Sequence, residues 1–173
     1  MIKIGETIPE VVLPIRIPAS DGTDASWSYL NTREQFAGKR VLIFSLPGAF
    51  TPTCSTYQLP GFNEKAQEFS DKGIEEIYCL SVNDSFVMNA WFDSLEITSV
   101  FPLPDGNGEF TEGVGASVQK ANVGFGIRSW RYAMIVNDGV VEQVFAEEGF
   151  GDNIESDPYE VSTPENVLEF LNS

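Results

Sequence analysis

The sequence contains no histidine and only two cysteines, Cys54 and Cys79. Without histidine, a catalytic Cys-His or Ser-His pair is excluded, and a zinc ion would need unusual ligands. The two cysteines lie too far apart in the chain for a Cys-x-x-Cys dithiol, and two alone make neither a disulfide framework nor a metal cluster. A catalytic thiol in this chain would therefore have to be activated by helix geometry and by arginine.

Positive charge is also scarce, with 10 basic against 26 acidic residues and a formal net charge of −16. A surface this acidic repels nucleic acids and anionic membranes, so we expect neither as a partner. The basic residues after Lys72 are Lys120, Arg128 and Arg131. Any positive charge at a site in the second half of the chain must come from these three side chains.

Long apolar runs and a basic, apolar leader are absent. The first residues, Met1 to Glu6, do not have the pattern of a signal peptide, and no stretch approaches the length of a membrane span. No Gly-, Ser- or Pro-rich linker divides the chain, and no internal repeat is present. We expect a cytoplasmic protein that forms one domain over residues 1–173.

The segment around Cys54 has a strand–turn–helix pattern. The apolar run Val41–Phe44 predicts a buried strand, and Pro47 begins a tight turn. Thr51 is suited to be the N-cap of a helix and Pro52 to be its first residue. Cys54 then lies in the first turn, where free N–H groups and the helix dipole stabilise a thiolate, the reactive form of cysteine. Alternatively, Cys54 is only a small buried apolar side chain.

The order of the predicted elements indicates an α/β fold with a central mixed β-sheet flanked by helices and an N-terminal extension. It resembles the thioredoxin-like layout, in which two βαβ-like crossovers precede a hairpin and a final helix. The turn Asn137-Asp138-Gly139 is a strong hairpin signal. The predicted strands are Ala25–Asn31, Arg40–Leu46, Ile74–Val82, Val100–Leu103, Arg131–Val136 and Val140–Phe145. The predicted helices are Pro52–Lys72, Ser85–Leu95, Phe110–Val118 and Pro164–Leu171. The first is predicted to be interrupted near Pro60-Gly61, and the last to begin after a Ser162–Glu165 capping box. The second is predicted to have one apolar face, formed by Phe86, Val87, Ala90 and Trp91.

A thiolate in such a setting suits the reduction of peroxides. The sulfur attacks one peroxide oxygen while the other leaves with growing negative charge, so hydrogen-bond donors must be in place around both. Thr51, one helical turn before Cys54, can supply its hydroxyl, and an arginine can supply a fixed fork of donors. Pro47 would shield the pocket from water.

Six segments carry the family resemblance of the chain: Pro47–Ser55, Leu59–Phe62, Leu80–Asp84, Phe86–Met88, Ala90-Trp91 and Arg128–Met134. They resemble the motifs of peroxiredoxins and are similar to the type II, or atypical two-cysteine, subfamily. This resemblance implies a peroxidase for hydrogen peroxide and alkyl hydroperoxides that uses no cofactor and forms a homodimer. It also implies that Cys54 is the peroxidatic cysteine and that Pro47, Thr51 and Arg131 complete the active site. Taken singly, Pro47 and Thr51 could be only turn and cap residues, and Arg131 a surface residue.

The step after peroxide reduction is less determined by the sequence. Oxidised Cys54 would be a sulfenic acid that a second thiol must reduce, and Cys79 is the only internal candidate. In plant relatives a cysteine at this spacing is the resolving residue, but Cys79 lies in an apolar strand, where we expect it to be buried. Residues 151–162 resemble bacterial peroxiredoxin–glutaredoxin fusions, which implies glutaredoxin with glutathione as the reductant and thioredoxin as the alternative.

Two residues near the motifs have open roles. Gln58 stands where many relatives of the resembled family have histidine. Arg128 either assists the active site electrostatically or is simply exposed, and we expect the second. Two other function classes also remain open, a peroxide sensor that passes oxidation to a partner protein and a non-redox thioredoxin-like interaction module.

Overall fold

The computed structural model describes residues 1–173. Its strands and helices follow the predicted order closely. The strands are β1 (Val12–Ile17), β2 (Ser26–Asn31), β3 (Arg40–Ser45), β4 (Glu76–Ser81), β5 (Phe101–Pro104), β6 (Ser117–Gln119), β7 (Ile127–Ser129), β8 (Tyr132–Asn137) and β9 (Val140–Ala146). The helices are α1 (Thr32–Phe36), α2 (Leu59–Glu64), α3 (Ala66–Asp71), α4 (Ser85–Ser94), α5 (Glu109–Gly113) and α6 (Pro164–Asn172).

The central sheet is mixed, as the sequence predicts. Its strand order is β5-β4-β3-β8-β9, in which β3, β4 and β5 are parallel, β8 runs antiparallel to β3, and β9 runs antiparallel to β8. The hairpin between β8 and β9 turns through Asp138 and Gly139, whose φ angles are 50° and 77°. Two successive positive φ values are typical of the tight turn that an Asp-Gly pair favours. The thioredoxin-like fold class is therefore confirmed.

Side chains of the central strands alternate between two apolar layers. On β3, Leu42 and Phe44 face the layer that contains Cys54 and Cys79, while Val41 and Ile43 face the opposite one. Apolar side chains of α2, α3, α4 and α6 complete the first layer, and those of α1, α5 and β1 complete the second. Both faces of the sheet are thus covered, which is why its strands are almost continuously apolar.

The helix that carries Cys54 differs from its prediction in one respect. It begins at Pro52, as predicted, but Cys54–Gln58 forms a π-helical turn, in which the N–H of Leu59 donates to the carbonyl of Cys54. The predicted interruption near Pro60-Gly61 is wrong, because the chain stays helical through Glu64 and breaks at Lys65. The wider turn before Pro60 accommodates a residue that lacks an N–H and would crowd a regular α-helical turn.

Three further predictions need correction. The predicted helix Phe110–Val118 is shorter, because Gly115 adopts a φ of 69° after α5 and the chain then enters β6. On α4 the buried face contains Met88, Trp91 and Phe92, whereas Phe86 is exposed. The cap of α6 is Thr163, whose hydroxyl accepts from the N–H of Asn166. The longest helix, α4, has 10 residues, so no helix could cross a lipid bilayer.

Candidate active site

Cys54 lies in the first helical turn after the β3 loop and is fully buried. The loop between β3 and the helix is held tightly, because the amide side chain of Asn83 accepts from the N–H of Ala49 at 3.0 Å. Phe50 in this loop has a φ of 64°, a conformation that residues other than glycine seldom adopt. The turn therefore fixes where the helix starts and, with it, the position of the sulfur.

Arg131 is brought to Cys54 by the pairing of β3 with β8. Ser45, the last residue of β3, pairs with Tyr132, the first residue of β8, so Arg131 lies beside the strand end that leads into the Cys54 loop. Its Nη1 atom is 3.6 Å from the sulfur of Cys54, and the residue is 2% exposed. A charged guanidinium buried this deeply requires anionic or polar partners.

Arg131 has three further neighbours. Its Nη1 donates to Oε1 of Gln58, its Nη2 donates to Oδ1 of Asp157 at 2.6 Å, and its Cζ lies 5.5 Å from the centre of the Tyr159 ring. Burial lowers the pKa of the Arg131 guanidinium, but the negative charges of Cys54 and Asp157 outweigh burial and leave this pKa above its ordinary value. Arg131 is therefore a permanent cation at the sulfur.

Pro47 and Thr51 line a cavity of about 180 Å³ that Asp157 also borders. The hydroxyl of Thr51 donates to the carbonyl of Gly48 at 2.7 Å, so the predicted side-chain cap by Thr51 is not formed. Its backbone carbonyl accepts from the N–H of Ser55 at 3.0 Å, which begins the helix. Neither Cys54 nor Arg131 is among the residues that line this cavity, so it borders the loop and not the sulfur.

Arg128 supports the loop from the opposite side. It is half-buried, and it donates to the carbonyl of Pro47 at 3.2 Å and to that of Phe125 at 3.1 Å. The expectation that Arg128 is simply exposed is therefore wrong. A β-carbon added at Gly48 would lie 2.6 Å from Nη1 of Arg128, so any larger residue there would require the guanidinium to move.

Cys79 lies in the middle of β4 and is fully buried in the same apolar layer as Cys54. Burial, together with the negative charge of a Cys54 thiolate, raises the pKa of the Cys79 thiol well above its ordinary value. Both cysteines are free thiols. The structure thus bears out the expectation that Cys79 is a core residue.

Two side-chain contacts hold the π-helical turn in place. Gln58 donates through Nε2 to the carbonyl of Ser45 at 3.1 Å while its Oε1 accepts from Arg131, so it links the end of β3 to the arginine. The indole of Trp91 donates to the hydroxyl of Ser55 at 2.9 Å. Because an amide side chain both donates and accepts, Gln58 can make its two contacts at once.

Asp157 was missed by sequence reasoning. It belongs to residues 147–163, a segment without regular structure between β9 and α6, which we call the C-terminal strap. The pair Asp157-Pro158 indicates only a turn, and the partner Arg131 is distant in the chain. The resemblance of residues 151–162 to the fusion proteins marks this segment, but it assigns no role to the carboxylate.

The arrangement can perform nucleophilic chemistry on a small, uncharged substrate. A fully buried sulfur at a helix start contacts a permanent cation. Hydrogen-bond donors for a leaving oxygen are available from Arg131 and from the backbone of the first helical turn.

The profile of the Redoxin family matches residues 3–161 of the chain. The chain is 61% identical over 145 residues to a peroxiredoxin of Sinorhizobium fredii, covering 84% of this chain and 77% of that protein. It is 46% identical over 167 residues to a hybrid peroxiredoxin of Haemophilus influenzae, covering 96% of this chain and 65% of that protein.

Among solved structures, an antioxidant protein of Plasmodium falciparum described as a 1-Cys peroxiredoxin superposes with a TM-score of 0.92. It is 38% identical to this chain, and the match covers 99% of each. The family match, the sequence identities and the superposition all point to one assignment. The chain belongs to the Redoxin family, and within it to the peroxiredoxins, which are thiol-dependent peroxidases.

Proposed function

We propose that Cys54 is the peroxidatic residue and that it reduces hydrogen peroxide and small alkyl hydroperoxides. The thiolate sulfur attacks one peroxide oxygen, the O–O bond breaks, and the sulfur becomes a sulfenic acid. The second oxygen takes up a proton and leaves as water or an alcohol. The observation that carries this proposal is the 3.6 Å contact between Nη1 of Arg131 and the sulfur of Cys54.

The neighbouring residues have separate roles in this proposal. Arg131 stabilises the thiolate and donates to the oxygen that leaves, because its charge is permanent and its donors are fixed. Pro47 shields the sulfur from bulk water, and Thr51, one helical turn before Cys54, offers its hydroxyl to the peroxide. No cofactor takes part in these steps.

We propose an external thiol as the reductant of the sulfenic acid. Cys79 is fully buried in β4 and its raised pKa keeps it a thiol at neutral pH, so it is a poor nucleophile. The hybrid peroxiredoxin of Haemophilus influenzae, which covers most of this chain, supports glutaredoxin with glutathione, and thioredoxin is the alternative. A cytoplasmic location would supply these thiols and keep Cys54 and Cys79 reduced.

We also propose that the chain forms a homodimer. Phe50 and Tyr57, which flank Cys54 in the sequence, are 56% and 65% exposed. Large exposed aromatic side chains beside a reactive centre are typical of association surfaces. Light scattering coupled to size exclusion tests this proposal, and a monomeric mass at micromolar concentration would contradict it.

The substitution Cys54→Ser tests the peroxidase proposal. It should abolish peroxide consumption, because a hydroxyl does not ionise at neutral pH, whereas Cys79→Ser should leave glutaredoxin-supported turnover nearly unchanged. The measurement is hydrogen peroxide consumption with glutathione and glutaredoxin, with thioredoxin in a parallel assay. Turnover by Cys54→Ser would overturn the role of Cys54, and loss of turnover in Cys79→Ser would show that Cys79 is needed.

The same assays separate enzyme from sensor. Repeated turnover with small thiols supports the peroxidase, whereas oxidation that passes only to a partner protein would favour the sensor hypothesis. That hypothesis stays a prediction from the sequence.

A further inference from the structure

We propose that Asp157 is a positioning residue for Arg131, and that the C-terminal strap thereby sets the reactivity of Cys54. This inference rests on the proposed role of Arg131 in peroxide reduction. Asp157 has no hydrogen bond to the sulfur of Cys54; it acts through the guanidinium of Arg131.

The guanidinium of Arg131 is planar, so the direction of one nitrogen fixes the direction of the others. Nη2 is held by Oδ1 of Asp157 at 2.6 Å, while Nη1 faces the sulfur of Cys54 at 3.6 Å. Nε has no hydrogen-bond partner. Two partners therefore fix how the plane is turned toward the sulfur, the uncharged Gln58 at Nη1 and Asp157 at Nη2, and Asp157 is the only carboxylate of the two.

The two ends of this ion pair lie in different environments. The side chain of Arg131 is 2% exposed and that of Asp157 is 45% exposed. Ion pairs between two exposed side chains contribute little to stability. A charge-assisted hydrogen bond to a buried guanidinium is stronger than a hydrogen bond between neutral groups. Asp157 thus neutralises a buried cation from the surface and orients it at the same time.

The strap itself is anchored, so Asp157 is not carried by a free loop. Oε1 of the buried Glu147 accepts the N–H groups of Glu160, Val161 and Ser162 and the hydroxyl of Ser162, at 2.7–3.0 Å. Asp157 lies just before these anchored residues, and Tyr159 places its ring beside the guanidinium. The strap thus holds the carboxylate in a fixed place at the cavity.

Two opposite effects of Asp157 can be separated by experiment. As a positioning residue, it keeps Nη1 directed at the sulfur, and its loss should slow the reaction. As a mere negative charge near a thiolate, it would oppose ionisation of Cys54, and its loss should speed the reaction. The sign of the change therefore decides between them.

The test compares Asp157→Asn and Asp157→Ala with Glu155→Gln, which removes the same charge from a residue that borders the same cavity but makes no contact with Arg131. The readout is the rate of Cys54 oxidation by hydrogen peroxide in a single turnover. We expect Asp157→Asn to be about tenfold slower, since a charge-assisted bond becomes neutral. Asp157→Ala should be about 100-fold slower, the effect of a displacement of ~1 Å at a reacting centre. Glu155→Gln should stay within about twofold of the parent.

A second readout is the rate of Cys54 alkylation by iodoacetamide as a function of pH. Loss of positioning should move this profile to higher pH in the Asp157 variants and not in Glu155→Gln. Equal or faster oxidation in a folded Asp157→Asn protein would overturn the inference. Asp157→Asn is nearly isosteric, so it decides the question even if Asp157→Ala does not fold.

Arg131→Met separates this inference from the proposed function. If Arg131→Met oxidises as fast as the parent, the proposed role of Arg131 fails and the inference fails with it. If Arg131→Met is slow but both Asp157 variants are as fast as the parent, only the positioning role is wrong.

Discussion

At the scale of single residues, the site depends on how closely a few side chains approach the Cys54 loop. Cys54, Thr51 and Pro47 could be found from the sequence because a strand, a turn and a helix start follow one another locally. Arg131 was found through the family resemblance, and the pairing of Ser45 with Tyr132 explains why it arrives at the sulfur. Asp157 could not be found, because its role exists only in the folded contact with Arg131.

Gly48 offers a direct test at this scale. We expect Gly48→Ala to displace the guanidinium of Arg128, since the new β-carbon would lie 2.6 Å from Nη1, and to release the carbonyl of Pro47. The rate of Cys54 oxidation should fall several-fold, and Arg128→Met should reproduce this fall. Stopped-flow measurement with hydrogen peroxide checks both variants. An unchanged rate in both would show that the hold of Arg128 on Pro47 does not matter for reactivity.

At the scale of elements, the fold positions the site through the ends of strands and helices. The predictions for β3, β4, α4 and the β8–β9 hairpin were right because apolar patterning and the Asp-Gly turn are local signals. The helix predicted for Phe110–Val118 was wrong because Gly115 ends α5 with a positive φ, and the pairing of β6 with β7 then decides the conformation. The π-helical turn at Cys54 has no sequence signal beyond the proline that follows it.

Glu147 anchors the C-terminal strap, so its removal should affect both the stability of the fold and the reactivity of Cys54. We expect Glu147→Ala to destabilise the protein by about 3 kcal/mol, because it leaves the buried N–H and hydroxyl of Ser162 without an acceptor. It should also slow oxidation of Cys54, because the strap carries Asp157. Urea unfolding and single-turnover oxidation measure the two effects.

The adjacent exposed Glu148 provides the matched control for this prediction. Glu148→Gln removes the same charge from the neighbouring strap residue without removing an acceptor of residues 160–162, so it should change neither quantity. A Glu147→Ala protein as stable as the parent would show that the four hydrogen bonds to its carboxylate are not an anchor.

At the scale of the whole molecule, the buried tyrosines and the buried Cys79 thiol make the free energy of unfolding depend on pH. Burial raises the pKa of three tyrosines. The charge of Asp105 adds to the rise for Tyr132, a hydrogen bond to Glu76 adds to it for Tyr78, and the charge of Glu165 adds to it for Tyr159. Burial also raises the pKa of the Cys79 thiol. In the unfolded chain these groups would ionise near their ordinary values of about 8.5 for cysteine and 10 for tyrosine. One domain over residues 1–173 stays a prediction at this scale.

Stability should therefore be lost on the alkaline side. A pKa that is raised by folding means that the unfolded chain releases its proton first, so the contribution to stability is complete below the unfolded value and falls as the pH rises above it. We expect the free energy of unfolding to fall above about pH 9, by about 1.4 kcal/mol per pH unit for each group that ionises only on unfolding. Urea unfolding between pH 7 and about pH 11 measures this dependence.

Tyr132→Phe should reduce the fall in the free energy of unfolding at alkaline pH, because it removes a fully buried hydroxyl that has no hydrogen-bond partner. Tyr57→Phe, at an exposed position, should leave the loss unchanged. A free energy of unfolding that stays constant across this range would contradict the burial of these groups.

The central claim is that Cys54 reduces peroxide by itself and depends on an external thiol for its recovery. The most direct measurement is the intact mass of the protein after one equivalent of hydrogen peroxide, followed by peptide mapping. The account predicts a gain of one oxygen atom located on Cys54, with Cys79 left as a thiol. The loss of two hydrogen atoms and a Cys54–Cys79 crosslink would contradict it, as would an unmodified Cys54.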